Sequence, residues 1–129
     1  MTLAVLDASA LLALVLGEPG ADKVAMALGD AAISAVNLAE VTSQYALRGS
    51  AADEIREMMS QFSAYIVPFD EELALAAGAL TPVTKPAGLS LGDRACLALA
   101  LRLGAKALTG DRAWVRVADA VGVEVELIR

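Results

Sequence analysis

The stretch LAVLDAS, residues 3–9, predicts a buried strand that passes directly into a helix. Its first four residues are apolar, and the acid and the small hydroxyl residue that follow, Asp7 and Ser9, are typical helix N-caps. In open α/β sheets, ligands bind just outside the carboxyl ends of the strands. We therefore expect the functional site beside Asp7.

The rest of the chain repeats this strand-to-helix pattern and predicts a parallel sheet covered on both faces. We interpret residues 1–129 as a single domain, which is long enough to bury its own core. Predicted strands cover 3–6, 31–34, 65–69, 105–108 and 123–128, and predicted helices cover 11–16, 21–28, 36–47, 50–62, 70–80, 93–103 and 112–121. Ser50 to Asp53 has the spacing of a capping box, and two prolines and a glycine predict a loop over 81–90.

The composition excludes several classes of site. The chain has no histidine, so it cannot contain a Ser-His-Asp triad, a Cys-His pair or an HExxH zinc site. Its single cysteine, Cys96, lies in an apolar helix and cannot form an internal disulfide, so we expect a buried thiol. The net charge of −6 argues against broad electrostatic binding to nucleic acid, although a small metal-assisted contact is compatible with it.

The apolar stretches are too short for a membrane protein. A spanning helix needs roughly 20 apolar residues, and Asp7 interrupts the apolar run at the start of the chain. We therefore expect a cytoplasmic protein with no membrane partner.

Four acids follow strands or open helices: Asp7, Glu40, Asp93 and Asp111. Parallel strands bring their carboxyl ends to one edge, so these acids can converge there. Two carboxylates about 4 Å apart repel by about 4 kcal/mol at an effective dielectric constant of 20, so a cluster must hold protons or cations. Oxygen ligands without His or Cys favour Mg²⁺ or Mn²⁺. A metal held in this way suits phosphodiester chemistry.

Each acid also has a structural explanation. Asp7 and Asp111 can be N-caps, and the spacings Asn37 to Glu40 and Ser90 to Asp93 fit capping boxes. Two alternatives therefore stay open. One is a non-catalytic α/β interaction module, and the other is a different Mg²⁺-dependent phosphotransfer or phosphatase domain. An aspartyl phosphatase would have a second Asp where this chain has Ser9.

Three segments resemble the PIN domain, and within it the VapC-type toxins of bacterial toxin–antitoxin pairs. They read VLDASALLALVLGEPG, ISAVNLAEV and GLSLGDRACLALALRLGAKALTGDRAW, and they span essentially the whole chain in the order and spacing of that family. The resemblance implies a three-layer α/β/α sandwich with a central, mainly parallel sheet of about five strands. It also implies a Mg²⁺-dependent endoribonuclease, with Mn²⁺ able to substitute, that hydrolyses RNA through a metal-activated water.

Carried over by position, the resemblance makes Asp7, Glu40, Asp93 and Asp111 the metal ligands and catalytic carboxylates. Ser9 and Thr109 become supporting polar residues. The resemblance further implies a homodimer and a cognate antitoxin whose C-terminal segment covers the active site.

Four basic residues are candidates for contacts with RNA: Lys85, Arg94, Arg112 and Arg116. Arg94 and Arg112 directly follow proposed metal ligands and could reach a phosphate. All four are equally compatible with solvated or ion-paired surface groups. Trp114 could stack on a base, but an apolar residue in a short helix is more typical of a core.

Overall fold

A computed structural model describes residues 2–129 and shows one five-stranded sheet in which every strand pair is parallel. The order across the sheet is β3-β2-β1-β4-β5. The strands are β1 (Ala4–Leu6), β2 (Ala31–Ser34), β3 (Tyr65–Val67), β4 (Lys106–Thr109) and β5 (Val125–Leu127). All five predicted strands are confirmed; β1, β3 and β5 are shorter than predicted, β2 matches, and β4 is shifted by one residue.

The described residues form eight α-helices around the sheet: α1 (Ala8–Leu16), α2 (Ala21–Ala27), α3 (Ala35–Leu47), α4 (Ala52–Met59), α5 (Glu71–Ala79), α6 (Thr81–Thr84), α7 (Leu91–Leu103) and α8 (Ala118–Val121). Short 3₁₀ turns lie at Leu28–Asp30, Lys85–Ala87 and Arg112–Arg116. None of the helices in the described chain is long and apolar enough to cross a membrane.

The hydrophobic core has two halves, one on each face of the sheet. Val5 of β1 packs in one half, with buried residues of α5 and α7 and with Trp114. Its neighbours Ala4 and Leu6 pack in the other half, with buried residues of α1, α2 and α3. Successive side chains of a strand point to opposite faces, so a strand buried on both faces is apolar throughout. The predicted three-layer α/β/α sandwich is therefore confirmed.

The strand order places a crevice at the centre of the sheet. From β1 the chain moves outward to β2 and β3, and then crosses back through α5, α6 and α7 to place β4 on the other side of β1. Ligands in open parallel sheets bind where the order reverses in this way, outside the carboxyl ends of the strands. Helices α1 and α3 start at this edge, directly after β1 and β2.

The predicted loop over 81–90 is wrong. This segment forms α6 and a 3₁₀ turn, because Pro82 and Pro86 stand in first turns, where the missing N–H is not needed. The buried Thr84 hydroxyl donates to the Leu80 carbonyl at 2.9 Å.

Several helix boundaries also differ from the prediction, and two of the differences have a clear physical reason. The capping box at Ser50 is wrong, because Ala51 is the N-cap of α4 and its N–H donates to Glu54 Oε1 at 3.1 Å. The predicted helix over 112–121 is two pieces, a 3₁₀ turn and α8. Trp114 and Val117, both buried, are three residues apart, which suits a 3₁₀ turn, whereas Val117 and Val121 are four apart.

Truncating a core residue of α7 should destabilise the fold strongly. Leu97 is fully buried between the sheet and its neighbours, so we expect Leu97→Ala to lower the free energy of unfolding by about 2–5 kcal/mol. Leu101, one turn further along α7, is 42% exposed and provides the matched control. Urea unfolding of both variants measures the difference, and equal losses would contradict this account of the core.

Candidate functional site

Asp7 is buried at the carboxyl end of the central strand and is the N-cap of α1. Its Oδ1 accepts the N–H of Ala10 at 2.8 Å and the hydroxyl of Ser9 at 2.7 Å. Its Oδ2 accepts the hydroxyl of Thr109, at the end of β4, at 2.6 Å. The side chain therefore joins two neighbouring strands of the sheet, and its capping role is confirmed.

Ser9 and Thr109 extend this network into the turn after β4. The Ser9 Oγ accepts the N–H of Gly110 at 2.8 Å, and the Thr109 Oγ1 accepts the N–H of Asp111 at 3.0 Å. Both hydroxyls can do this because each has lone pairs left after donating its proton. The turn carrying Asp111 is thereby fixed against the start of α1.

Burial raises the pKa of Asp7 from 3.8 to about 6. The hydrogen bonds from Thr109, Ser9 and the Ala10 N–H oppose this effect, and the negative charge of Asp93 adds to it. Desolvation is the largest of these effects. It raises the pKa because a buried carboxylate is less stable in its charged form.

Glu40 lies on the second turn of α3 and is fixed by Asn37, one turn before it. The Asn37 Nδ2 donates to Glu40 Oε1 at 2.8 Å and to the Gly92 carbonyl of α7 at 3.0 Å. The predicted Asn37–Glu40 capping box is wrong, because the Ser34 hydroxyl caps α3 by accepting the N–H of Val36. Asn37 therefore lies inside the helix, almost fully buried, and links α3 to α7.

Position 92, a glycine, has no room for a side chain. A Cβ at this position would overlap the carboxylate of Glu40. Its φ is not positive, so no backbone conformation demands glycine here. Helices α3 and α7 thus approach each other closely where Glu40 is held.

Asp93 and Asp111 have the capping roles that the sequence predicts. Asp93 Oδ2 accepts the N–H of Ser90 at 2.8 Å, and Ser90 Oγ accepts the N–H of Asp93, which completes the capping box of α7. Asp111 Oδ1 accepts the N–H of Ala113 at 2.9 Å and caps the 3₁₀ turn that follows it.

Three of the four acids act electrostatically on the buried thiol of Cys96. Burial raises the pKa of the Cys96 thiol, and the charges of Asp7, Asp93 and Glu40 raise it further. This fits the prediction of a buried, unreactive cysteine. Asp111 is not in that group and is joined to Asp7 through Thr109.

The four carboxylates do not form a compact metal site. Among residues 2–129, no three Asp, Glu or Cys side chains are close enough to hold a metal ion as they stand. However, Glu40 Oε2, Asp93 Oδ1 and Asp111 Oδ2 accept no hydrogen bond from the described residues, and Asp7 Oδ2 accepts only one. An all-oxygen donor set of this kind fits a hard cation such as Mg²⁺.

The basic candidates differ in their surroundings. Arg94 is half-buried, and its Nη1 donates to the Leu89 carbonyl at 3.0 Å, so the guanidinium is directed toward the loop before α7. Lys85 is exposed on the 3₁₀ turn after α6. Arg112 and Arg116 are exposed and line one cleft beside Asp111. Trp114 is fully buried, so its core interpretation is confirmed.

The sequence analysis did not predict the roles of three residues at this edge. Asn37 joins α3 to α7, Gly92 leaves room for the Glu40 carboxylate, and Arg129 packs on Gly110. The Arg129 guanidinium lies against Gly110, and its Nη1 donates to the Pro19 carbonyl at 2.9 Å. No local motif indicates these roles. They depend on helix approach and on the register that pairs Leu127 with Thr109.

A family model described as PIN domain matches residues 4–120. No curated protein matches the chain. Solved structures with the same fold include DNA-bound VapBC from Salmonella typhimurium, with a TM-score of 0.72 and 17% identity, covering 100% of both chains. VapBC-1 from nontypeable Haemophilus influenzae has a TM-score of 0.69 and 19% identity, covering 98% of both chains.

A toxin–antitoxin complex from Klebsiella pneumoniae is similar as well, with a TM-score of 0.68 and 24% identity. It covers 84% of this chain and 86% of that chain. At these identities the structural likeness establishes the fold, whereas the family model establishes the kinship.

The raised pKa of Asp7 should make the protein less stable as the pH rises. The unfolded state releases the proton near pH 3.8 and the folded state near about pH 6, so stability falls across that window. The shift corresponds to roughly 3 kcal/mol. In metal-free buffer, we therefore expect Asp7→Asn to gain stability relative to wild type by up to about 3 kcal/mol between pH 4 and pH 7.

Urea unfolding of both proteins at several pH values, with EDTA present, measures this difference. Asn keeps an oxygen that can accept the Ala10 N–H, so the cap survives in the variant. A difference that stays constant with pH would contradict the pKa assignment. A large loss of stability at every pH would mean that Asn cannot replace the hydrogen bonds that Asp7 accepts from Ser9 and Thr109.

Proposed function

This chain belongs to the PIN domain family, and from that membership we propose that it is a Mg²⁺- or Mn²⁺-dependent endoribonuclease. We propose further that it acts as the toxin of a toxin–antitoxin pair. One observation carries the catalytic part of the proposal. Asp7 is buried at the switch point of a parallel sheet, and hydrogen bonds hold Glu40 on α3 and Asp93 on the contacting helix α7, in a chain without histidine.

The proposed ligands of the cation differ in how firmly hydrogen bonds fix their side chains. Asp7 is fixed by hydrogen bonds from Ser9, Ala10 and Thr109 and supplies a carboxylate that cannot turn away. Asp93 and Glu40 are each held through one oxygen and can turn the other toward the crevice. Asp111 completes the proposed set from the turn after β4.

A divalent cation bound there supplies Lewis acidity, lowering the pKa of a water and neutralising charge on the phosphate. The protein contributes orientation and negative charge. Since no imidazole is present to act as general acid or base, we expect hydrolysis to leave a 5′-phosphate and a 3′-hydroxyl. Products with 2′,3′-cyclic phosphate ends would contradict this chemistry.

The partners are part of the proposal. The structural relatives are a toxin–antitoxin complex and VapBC assemblies. We propose the same kind of partner for this chain, a small antitoxin that covers the acidic edge, together with a homodimeric, cytoplasmic toxin that acts on RNA.

A non-catalytic interaction module is the second candidate, and the capping bonds favour it. Asp7, Asp93 and Asp111 each accept a backbone N–H at the start of a helix or turn. If capping were their whole role, Mn²⁺ would not change the melting temperature. A bound cation stabilises the folded state by about 2.7 kcal/mol when it is present at 100 times its Kd.

Cleavage of RNA should require both the metal and Asp93. We expect purified protein, free of antitoxin, to cleave members of a mixed set of structured RNAs with Mg²⁺ or Mn²⁺ but not with EDTA. Asp93→Asn should reduce cleavage by at least about 100-fold, since even residues that only support a metal ligand cost 10–100-fold. Asp30→Asn, at an exposed acid just before β2, is the matched control.

The same variants also decide between the two candidates. Cleavage that is equal in Asp93→Asn and Asp30→Asn would refute the site. An absence of cleavage together with an unchanged melting temperature in Mn²⁺ would favour the interaction module.

Gly92→Ala should separate metal binding from folding. The new Cβ would displace the Glu40 carboxylate, which is the exposed end of a flexible side chain and can move. We therefore expect the free energy of unfolding to change by no more than about 1 kcal/mol. The stabilisation by Mn²⁺, measured by thermal melting, should fall sharply.

Gly78→Ala is the matched control, because Gly78 is also helical and a Cβ there meets nothing within 4 Å. A full Mn²⁺ response in Gly92→Ala would show that Glu40 is not a ligand.

A further inference from the structure

Three arginines that pair with no acidic side chain of the described residues lie beside the acidic edge: Arg112, Arg116 and Arg129. The chain has ten basic residues and a net charge of −6, so such a concentration is unexpected. The ion pairs between side chains of residues 2–129 involve only Arg102 and Lys106 on the basic side. No acidic side chain of the described residues therefore neutralises these three arginines.

Arg112 and Arg116 line an open cleft of about 500 Å³. The other residues that line it are apolar: Ala113, Val115 and Leu127. Val115 is 55% exposed although it is a large hydrophobic residue. The cleft thus combines cationic walls with an apolar surface, which suits a ligand that has both anionic and apolar parts.

Arg129 joins this cleft to the acidic site. Its backbone carbonyl lies 3.4 Å from Arg112 Nη2. Its guanidinium fills the space above Gly110, where an added Cβ would be 2.7 Å from Nη2 and 2.9 Å from Cζ. Gly110 has no positive φ, so glycine serves here to admit the guanidinium rather than to permit a turn.

The contact between Arg129 and Gly110 matters because Gly110 is hydrogen-bonded into the Asp7 network. Its N–H donates to Ser9, which donates to Asp7, and its neighbours in the chain are Thr109 and Asp111. The Pro19 carbonyl holds the guanidinium there by accepting from Nη1 at 2.9 Å. A fixed positive charge therefore lies at the border of the acidic crevice.

We propose that Arg129, Arg112 and Arg116 form a phosphodiester-binding cleft that holds a single-stranded RNA backbone next to the acidic site. This inference rests on the proposed function, because it takes RNA as the substrate. The arginines bind the phosphates beside the reacting one, and the apolar surface of Val115 and Leu127 contacts the sugars or bases. A local cluster of this kind provides affinity despite the negative charge of the whole protein.

The test measures RNA binding without cleavage. The probe is a short fluorescein-labelled single-stranded RNA of random sequence, titrated by anisotropy in EDTA over a series of salt concentrations. Each phosphate contact that is lost should reduce the slope of log Kd against log salt by about 0.7. We expect that loss in Arg129→Gln and in Arg112→Gln, and retention of the slope in Arg129→Lys.

Arg48→Gln is the matched control, since Arg48 is exposed at the far end of α3 and makes no ion pair within the described residues. Gln at 129 can still donate to the Pro19 carbonyl, so folding is preserved, and thermal melting confirms it. Equal slopes in Arg129→Gln and Arg48→Gln would overturn the proposal. An absence of RNA binding by the wild type would also overturn it.

Polyglutamate serves as a competitor of a different class. If it binds as tightly and with the same dependence on Arg129, the cleft recognises an acidic peptide, and the assignment to RNA is refuted. Asp93→Asn separates this inference from the proposed function. If the cleft binds RNA, this variant should show the wild-type slope of log Kd against log salt. Failure of the nuclease proposal would appear only in the cleavage assay.

Discussion

The buried carboxylate of Asp7 is the constraint on which the rest of the site depends. A charged group 3% exposed at the end of the central strand is costly, and the protein offsets that cost with three hydrogen bonds from Ser9, Ala10 and Thr109. These bonds fix the start of α1 to the end of β4. Burial outweighs these bonds and leaves the carboxylate with a raised pKa, so that a nearby positive charge is favourable.

In the other acids the capping bond leaves one carboxylate oxygen free of hydrogen bonds from the described residues, so capping would not prevent a ligand role. A carboxylate has two oxygens, and a backbone N–H needs only one of them. Asp93 uses Oδ2 and Asp111 uses Oδ1 for this purpose. The hydrogen bond at one oxygen orients the other, so a helix cap can act as a rigid support for a cation. The capping interpretation therefore concerns one oxygen of each carboxylate, and the proposed ligand role concerns the other.

The sequence predicted most of the fold because its signals are local. Apolar strands that pass into helices specify a parallel sheet, and a parallel sheet brings Asp7 and Asp111 to one edge. The predicted loop over 81–90 is wrong because proline is compatible with a first helical turn as well as with a loop. Asn37 and Arg129 could not have been found in this way. Their partners, Gly92 and Gly110, are distant in sequence and become neighbours only through helix packing and strand register.

The bonds that complete the site join residues about a hundred positions apart, Ser9 to Gly110 and Asp7 to Thr109. During translation, the first strand and helix leave the ribosome long before the turn after β4 exists. Until then the Asp7 carboxylate lacks its Thr109 partner, and Asp111 has not been made. A nascent chain is therefore without the full set of acids until nearly all of the domain has been synthesised.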